Sequence, residues 1–414
     1  AGKICELQGG NMMGWSWNYK KRENIAREGK FTLAFADGTA VLSLWYDVRE
    51  APLTLTAAEG ELRLVVLPHR LELWSDGRLC DEEWPYGTPR FPREMLDAFG
   101  ETADYTETAE ALPDVIGQLG NAQGWYPGGG IFVGDCMPYA DDGRYHVLWL
   151  KDRRHHRSKW HLGAHQWEHI STADFKTWDV HPMAVAITKP EEGSICTGSH
   201  MRVGDIHYLY YTVRMADGSP APIRRSISHD GFHFTKDEGF GFTLSEKYHR
   251  ASARDPKIVR ADDGWHMFVT TSELALGRGA LAHLFSADGE HWQELDSIYL
   301  SPDASQPECS DYFTFGGKYY LVFSHHAKAE YRVSDAPFTG WRRPENPYIP
   351  CGAVPKSAML GGRLIFTGCV HSQYGYAGTM TFTEATADAS GELHFAPVPE
   401  TGAAAVVDVT SAAL

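Results

Sequence analysis

The chain has 414 residues, 43% hydrophobic and 22% charged, with a formal net charge of −16. That length exceeds one typical single-core domain and predicts two, and the acidic balance argues against nucleic acid or an anionic membrane surface as partner, since both are recognised by basic patches. No apolar run approaches the roughly 20 residues that cross a bilayer, no signal-peptide core follows the opening AGKICELQGG, and the seven cysteines are scattered with no CxxC pair, so free thiols, a reducing (cytoplasmic) compartment and no zinc site are expected.

The first third reads as antiparallel β. VLSLWYDV (41–48), LTLTA (53–57), ELRLVVL (61–67) and RLELWSDG (70–77) alternate or run apolar between turns, the pattern of short strands. They predict a β-sandwich, with LELWSDGRLCDEEWPYG (71–87) resembling the edge hairpin of a lectin-like one. Residues 88–120 carry several Pro and acidic residues and read as a linker with one short helix around Arg93–Phe99. The predicted first domain, linker included, spans residues 1–118.

From about residue 120 a two-part pattern repeats. Apolar, aromatic-rich runs begin at Tyr145, His207, Trp265, Tyr319 and Arg363, a period too long for ankyrin or tetratricopeptide units. Four are followed by a Ser-and-Asp segment ending in an aromatic, placing Asp174, Asp230, Asp288 and Asp335 as turn residues whose carboxylates accept backbone N–H groups. Short strands separated by turn signals such as ADDG (261–264) and FGGK (315–318) fit four strands per repeat. Five such repeats predict an all-β, five-bladed β-propeller over residues 119–399, preceded by the sandwich. Residues 400–414 form a C-terminal tail, a candidate last strand for that sandwich.

Asp135, Asp255 and Glu308 precede the first, third and fourth apolar runs by ten or eleven residues. Equivalent positions in successive repeats occupy equivalent places around an axis, so these three carboxylates are expected to converge at one level. Repeats two and five hold Thr197-Gly198-Ser199 and a stretch near Lys356 there. Converging carboxyl groups suit glycoside hydrolysis: in a retaining enzyme two lie about 5–5.5 Å apart, one ionised as nucleophile and one protonated as acid. No metal or organic cofactor is required.

The residues then carry a resemblance. ARDPKIV (253–259) resembles the Arg-Asp-Pro motif of the β-fructofuranosidases (the invertase and levanase group, glycoside hydrolase family 32), and PECSDYF (307–313) its Glu-Cys motif. GDCMPYADDGRYHVLWL (134–150) is similar to the first-blade Asp segment, and HQWEHISTADFKTWDVHPMAV (165–185) to the Trp-Gly-His…Ser-x-Asp-Leu…Trp segment. The resemblance covers about residues 120–395. It implies a retaining hydrolase of β-fructofuranosides, with Asp135 as nucleophile, Glu308 as general acid/base, Asp255 as transition-state stabiliser and Arg254 fixing Asp255 and the acid/base. A buried Glu308 beside two carboxylates would have a raised pKa, and Cys309 would be a packing residue. The family's first motif reads Trp-x-Asn-Asp-Pro-Asn-Gly, whereas here it is Val133-Gly134-Asp135-Cys136-Met137-Pro138, so Gly134 is expected to leave space beside Asp135. The sandwich also precedes the propeller here, where in that family it usually follows.

Further candidates for binding a small carbohydrate are Ser199, Trp125 with Tyr126, and Trp160, Trp167 and His169 of the His-rich stretch 152–169, read as a loop over the pocket mouth. His371, Gln373 and Tyr374 are candidates for the rim. The competing functions are another furanosidase (arabinofuranosidase-like), a fructosyl transferase, and a carbohydrate-binding propeller altered in catalysis.

Overall fold

The computed structural model describes residues 13–45, 52–67, 70–83, 93–102, 104–109, 125, 132–152, 165–189, 191–372 and 375–403. Apart from the helix Arg93–Gly100 and two 3-10 turns, the elements are strands. In the first region Met13–Tyr19, Leu62–Leu67, Arg70–Ser75, Arg78–Glu83 and Asp104–Ala109 form one antiparallel sheet, and Ile25–Arg27, Phe31–Ala36, Thr39–Leu44 and Leu53–Ala58 a second. Strand side chains alternate between faces, which sends Leu62, Leu64, Leu71 and Leu73 of one sheet and Phe31, Leu33, Leu42 and Leu44 of the other into a single buried cluster. Ala98 and Phe99 of the helix join it, and Trp17 Nε1 donates to Phe99 O at 3.0 Å. The hairpin Arg70–Glu83 lies at a sheet edge and turns through Asp76 and Gly77, both in the left-handed region (φ 47° and 73°), the pair of positive values a tight two-residue hairpin turn needs.

From Phe132 onward the strands fall into five consecutive antiparallel sets. Their first strands are Phe132–Asp141, Glu192–Val203, Arg254–Ala261, Glu308–Phe315 and Ala353–Leu360. These five neighbour one another in that order, and the last returns to the first. The cycle is sealed where Val133 pairs with Gly378 and where Trp125 and Met380 exchange backbone hydrogen bonds of 2.9 and 2.8 Å. A piece of chain ahead of the first set thus bonds into the last set, so those edges are not left open.

Each apolar run is the second strand of its set, and each acid sits on the strand before it. Neighbouring sets pack face to face: Leu148, Leu150 and Trp167 of the first share a core with Leu209, Tyr211 and Val213 of the second. Covering on both faces explains why these strands are nearly continuous in apolar residues rather than alternating. The Ser-and-Asp segments are turns. Asp174 Oδ1 accepts from the N–H groups of Lys176 and Thr177, Asp230 Oδ1 from Phe232 and His233, and Asp288 Oδ1 from Glu290 and His291, all at 2.8–2.9 Å. Asp335 differs and pairs with Lys318.

At the C-terminal end Val398 is buried in the core of the first and last sets, and Glu400 pairs with Arg363 at 2.8 Å. Val398 and Glu400 thus pack on the ring, and residues 404–414, most of the tail expected to offer a sandwich strand, lie outside the described residues. Trp74 of the first region packs against the same core.

Candidate active site

All five first strands carry the same irregularity. One extra residue intrudes between Val133 and Cys136, Ile195 and Gly198, Arg254 and Lys257, Glu308 and Asp311, and Ala353 and Lys356. A bulge interrupts regular pairing and re-aims side chains, so the fold repeats five times a device for turning one or two residues away from the sheet. The three acids occupy three of these bulges, at staggered places. Glu308 is the first residue of its bulge, Asp255 the second and Asp135 the third. The expectation of one equivalent position is corrected accordingly: the counterparts of Asp255 are Gly134 and Cys309. Asp255 and Cys309 share left-handed backbone (φ 58° and 50°), a conformation that Asp tolerates better than most residues.

The staggered acids meet through shared neighbours. Cys309 N–H donates to Asp255 Oδ2 at 3.1 Å, and its thiol donates to Asp135 Oδ2 at 3.5 Å. Burial pushes that thiol well up, with Asp255 and Asp135 adding to the effect, so it stays protonated and able to donate. Cys309 is buried as expected of a packing residue, but it is also the hinge between two carboxylates. Thr197 Oγ1 donates to the other oxygen of Asp255. Arg254 spans the remaining pair, with Nη2 on Glu308 Oε1 at 2.7 Å and Nε 3.6 Å from Asp255 Oδ2. Asp255 is buried, whereas the Glu308 side chain is 48% exposed. Glu308 was expected to be buried; its place at the start of the bulge leaves it at the surface.

Asp135 has a raised proton affinity, pushed up to about 6 by burial first, then by the charges of Asp255 and Glu308. Two groups oppose this. Tyr376 Oη donates to Asp135 Oδ1 at 2.8 Å, and His165 contributes positive potential. Tyr376 Oη also accepts from the Asp135 backbone N–H at 3.1 Å. A Cβ on Gly134 would lie 2.6 Å from that hydroxyl. The space expected beside Asp135 is therefore filled, by a tyrosine from the last set.

The other sequence candidates divide. His371 is half-buried with its ring 5.4 Å from that of Tyr376, and so belongs to the surroundings of Asp135. Trp125 is fully buried against Trp149 and Trp178, and a ring with no exposed face cannot stack on a sugar. Trp167 is likewise buried, its Nε1 donating to Cys196 O at 3.0 Å. His169 is fully buried, bonded to Tyr139 and His146 farther along the sheet. Ser199 has its hydroxyl used between strands, donating to Pro256 O at 2.8 Å and accepting from Ile258 N–H at 2.9 Å. Trp160, Tyr126, Gln373 and Tyr374 lie outside the described residues. Sequence reasoning missed Tyr376, Thr197 and His165. Thr197 left a signal, standing in the second repeat where an acid stands in others, and His165 lies in the His-rich stretch 152–169; Tyr376 left none.

The sequence profile described as the glycosyl hydrolases family 32 N-terminal domain matches residues 137–344, a span that includes Asp255 and Glu308 and begins just after Asp135. Sucrose-6-phosphate hydrolase of Escherichia coli is 28% identical over 200 residues, 43% of this chain and 40% of that protein. Raffinose invertase of Escherichia coli is 26% identical over 192 residues, 44% of this chain and 39% of that protein. The chain thus matches about two-fifths of the length of these curated relatives. Among solved structures, fructan 1-exohydrolase IIa from Cichorium intybus superposes with a TM-score of 0.54 at 19% identity, covering 65% of this chain and 58% of that one. Sucrose-6-phosphate hydrolase from Lactobacillus gasseri gives 0.53 at 14%, covering 64% and 63%. At these identities the likeness is one of fold, an all-β propeller.

Proposed function

The chain belongs to glycosyl hydrolase family 32, and on that premise we propose that it is a retaining hydrolase of β-fructofuranosides, taking sucrose- or fructan-like oligosaccharides. We read its five strand sets as five blades of one propeller, and the two sheets of residues 13–109 as a sandwich divided from it near residue 118. The free cysteines among the described residues agree with a reducing, cytoplasmic setting.

The observation that carries this reading is the linkage of three carboxylates through Cys309 and Arg254. Among the described residues Asp135 accepts from one hydroxyl and one thiol and is bonded to no cation, which leaves its carboxylate nucleophilic. It attacks the anomeric carbon and forms a glycosyl ester. Glu308 gives its proton to the departing oxygen and then takes one from the water that hydrolyses the ester. Its exposure lets water reach it between the two steps. Asp255, held by Thr197, Cys309 and Arg254, accepts sugar hydroxyls whose hydrogen bonds strengthen as charge develops. No step calls for a metal or an organic cofactor.

The test is incubation of the full chain with sucrose, sucrose 6-phosphate, 1-kestose and an aryl arabinofuranoside, following the released sugars and reading the configuration of fresh fructose from its C2 signal by carbon-13 NMR. Release of fructose with retained configuration is expected, and it should disappear in Asp135→Asn. Turnover that survives both Asp135→Asn and Glu308→Gln would overturn the assignment. Saturable binding without turnover would favour a carbohydrate-binding propeller, and release of arabinose alone would move the substrate class.

A further inference from the structure

Along the first strand of the ring, Tyr139 lies four residues beyond Asp135, about 13 Å farther on. Around it gather three histidines from three other strands of the same set: His146 from Arg144–Asp152, His169 from Gln166–Thr172 and His181 from Asp179–Val185. The sheet register brings them together, since His169 pairs directly with His181 and His146 pairs with Ser171, two residues along from His169. One ring nitrogen of each lies within 4.8 Å of the other two. We propose that His146, His169 and His181 form a binding site for a zinc-class transition-metal ion, separate from the carboxylates and independent of the reaction assigned to them.

The distances suit such an ion. His146 Nδ1 and His169 Nε2 are 3.0 Å apart, and two imidazole nitrogens on a tetrahedral zinc at 2.0–2.1 Å stand about 3.4 Å from each other. A few tenths of an ångström of ring movement admits the metal between them. His181 Nε2 is 2.8 Å from Ser171 Oγ, which leaves Nδ1 as its ligand atom and supplies the outer partner that commonly orients a metal-bound imidazole. His169 is fully buried, and its Nε2 is the atom turned into the cluster, 3.0 Å from His146 Nδ1 and 3.1 Å from Tyr139 Oη.

Two arginines flank the cavity beside this cluster: Arg144 reaches Ser171 Oγ with Nε at 3.0 Å and is paired with Asp179, and Arg202 is paired with Asp141 at 2.7 Å. Asp141 adds negative potential at His146. A cavity of about 250 Å³ bounded by Tyr139, Asp141, His146 and Phe232 provides a route in and room for a water. Three imidazoles and one water make a four-coordinate set for zinc or cobalt(II), whereas calcium and magnesium require oxygen ligands. Only His169 belongs to the His-rich stretch 152–169, so no spacing motif in the sequence joins the three.

The test uses the full chain stripped of metal by a chelator. Titration with cobalt(II) should give one equivalent bound, with the visible absorption of a tetrahedral nitrogen-rich site, and zinc should displace it. Zinc should also raise the melting temperature progressively with its concentration. His146→Asn and His181→Asn should each weaken binding by roughly tenfold or more while leaving the metal-free far-ultraviolet dichroism unchanged. Absence of a bound equivalent overturns the proposal, as does full retention of the site in both variants. Loss of the site on His326→Asn would also overturn it, by moving the metal to the group Asp303, His325 and His326.

Discussion

Tyr376 and Asp135 are 241 residues apart in the chain and joined by two hydrogen bonds, the hydroxyl donating to Oδ1 at 2.8 Å and accepting from the backbone N–H at 3.1 Å. They stand on opposite sides of the seam where the last strand set meets the first. Closure of the ring therefore completes the surroundings of Asp135. Because the hydroxyl stabilises the carboxylate, its removal raises the proton affinity of Asp135 above its value of about 6. In the parent protein kcat/KM should fall on the acid side with a midpoint near pH 6, as Asp135 takes up its proton. Tyr376→Phe should move that midpoint upward by about one unit, since one lost hydrogen bond to a charged group is worth about 1.5 kcal/mol or more. An unmoved acid limb would separate Tyr376 from the titration.

Gly134 and Tyr376 share one volume. A Cβ at position 134 would lie 2.6 Å from the tyrosine hydroxyl and 3.1 Å from Leu150 O. Gly134→Asn, which restores the residue of the family motif, should therefore lower activity by tenfold or more by displacing Tyr376. Adding Tyr376→Ala should recover part of that loss. A double-mutant cycle on kcat/KM checks this, and strictly additive losses would contradict the shared volume.

The repeats and their Ser-and-Asp turns were legible because each rests on local chemistry. The Ser-and-Asp turns need only neighbouring backbone N–H groups, so Asp174, Asp230 and Asp288 could be set apart as structural from sequence alone. Burial was harder to read. Trp125 and Trp167 looked like sugar platforms because an aromatic beside a site has the same letters whether it faces a cleft or another sheet; both lie where strand sets pack together. Ser199 was lost to an interstrand bond for the same reason. Tyr376 could not be found by repeat logic, because it acts across the seam, where the first and last sets meet without a sequence neighbour in common. The stagger of the acids was hidden because spacing to the next apolar run varies by a single residue, the size of a bulge.

Burial of Asp135 makes a prediction for stability. Its folded pKa of about 6 lies above the ordinary 3.8, so the folded state holds more protons than the unfolded state between these values. Stability then falls as pH rises from about 4 to 6. Asp135→Asn removes this penalty and keeps an oxygen to accept from Tyr376. The variant should be more stable than the parent at pH 7.5 by about 1–3 kcal/mol, and the difference should shrink toward zero near pH 4. Thermal melts at the two pH values test both halves, and a gain of equal size at pH 4 would assign it to something other than titration.

Glu308→Gln should preserve the contact with Arg254, because the amide oxygen still accepts from Nη2, while removing the transferable proton. With sucrose the loss in kcat should be about 10²–10⁴-fold. An aryl fructofuranoside with an acidic leaving group needs little protonation and should lose far less in the glycosylation step. Equal losses with both substrates would show that Glu308 acts through binding rather than proton transfer.

Below the acids the ring depends on another carboxylate. Asp311 is fully buried on the fourth first strand. It accepts from Lys257 Nζ at 2.6 Å, from the third first strand, and from the N–H and hydroxyl of Ser357 at 2.7 Å, from the fifth. Burial alone would raise its pKa, but Lys257 and Ser357 together hold it below the ordinary value. One side chain thus ties three successive strands of the cycle. Asp311→Asn leaves the Lys257 ammonium without a counter-charge in a largely enclosed position and should destabilise the fold by about 3–5 kcal/mol. Asp311→Asn with Lys257→Met should cost less than Asp311→Asn alone, since no unpaired charge then remains. The depressed pKa also fixes the pH range: the contribution is present above about pH 4 and is lost as the pH falls through the folded value below it. Denaturant titrations of both variants at pH 7 and of the parent between pH 2 and 5 check these outcomes. A single variant as stable as the parent would mean that Ser357 and the surrounding packing, rather than the ion pair, hold the three strands together.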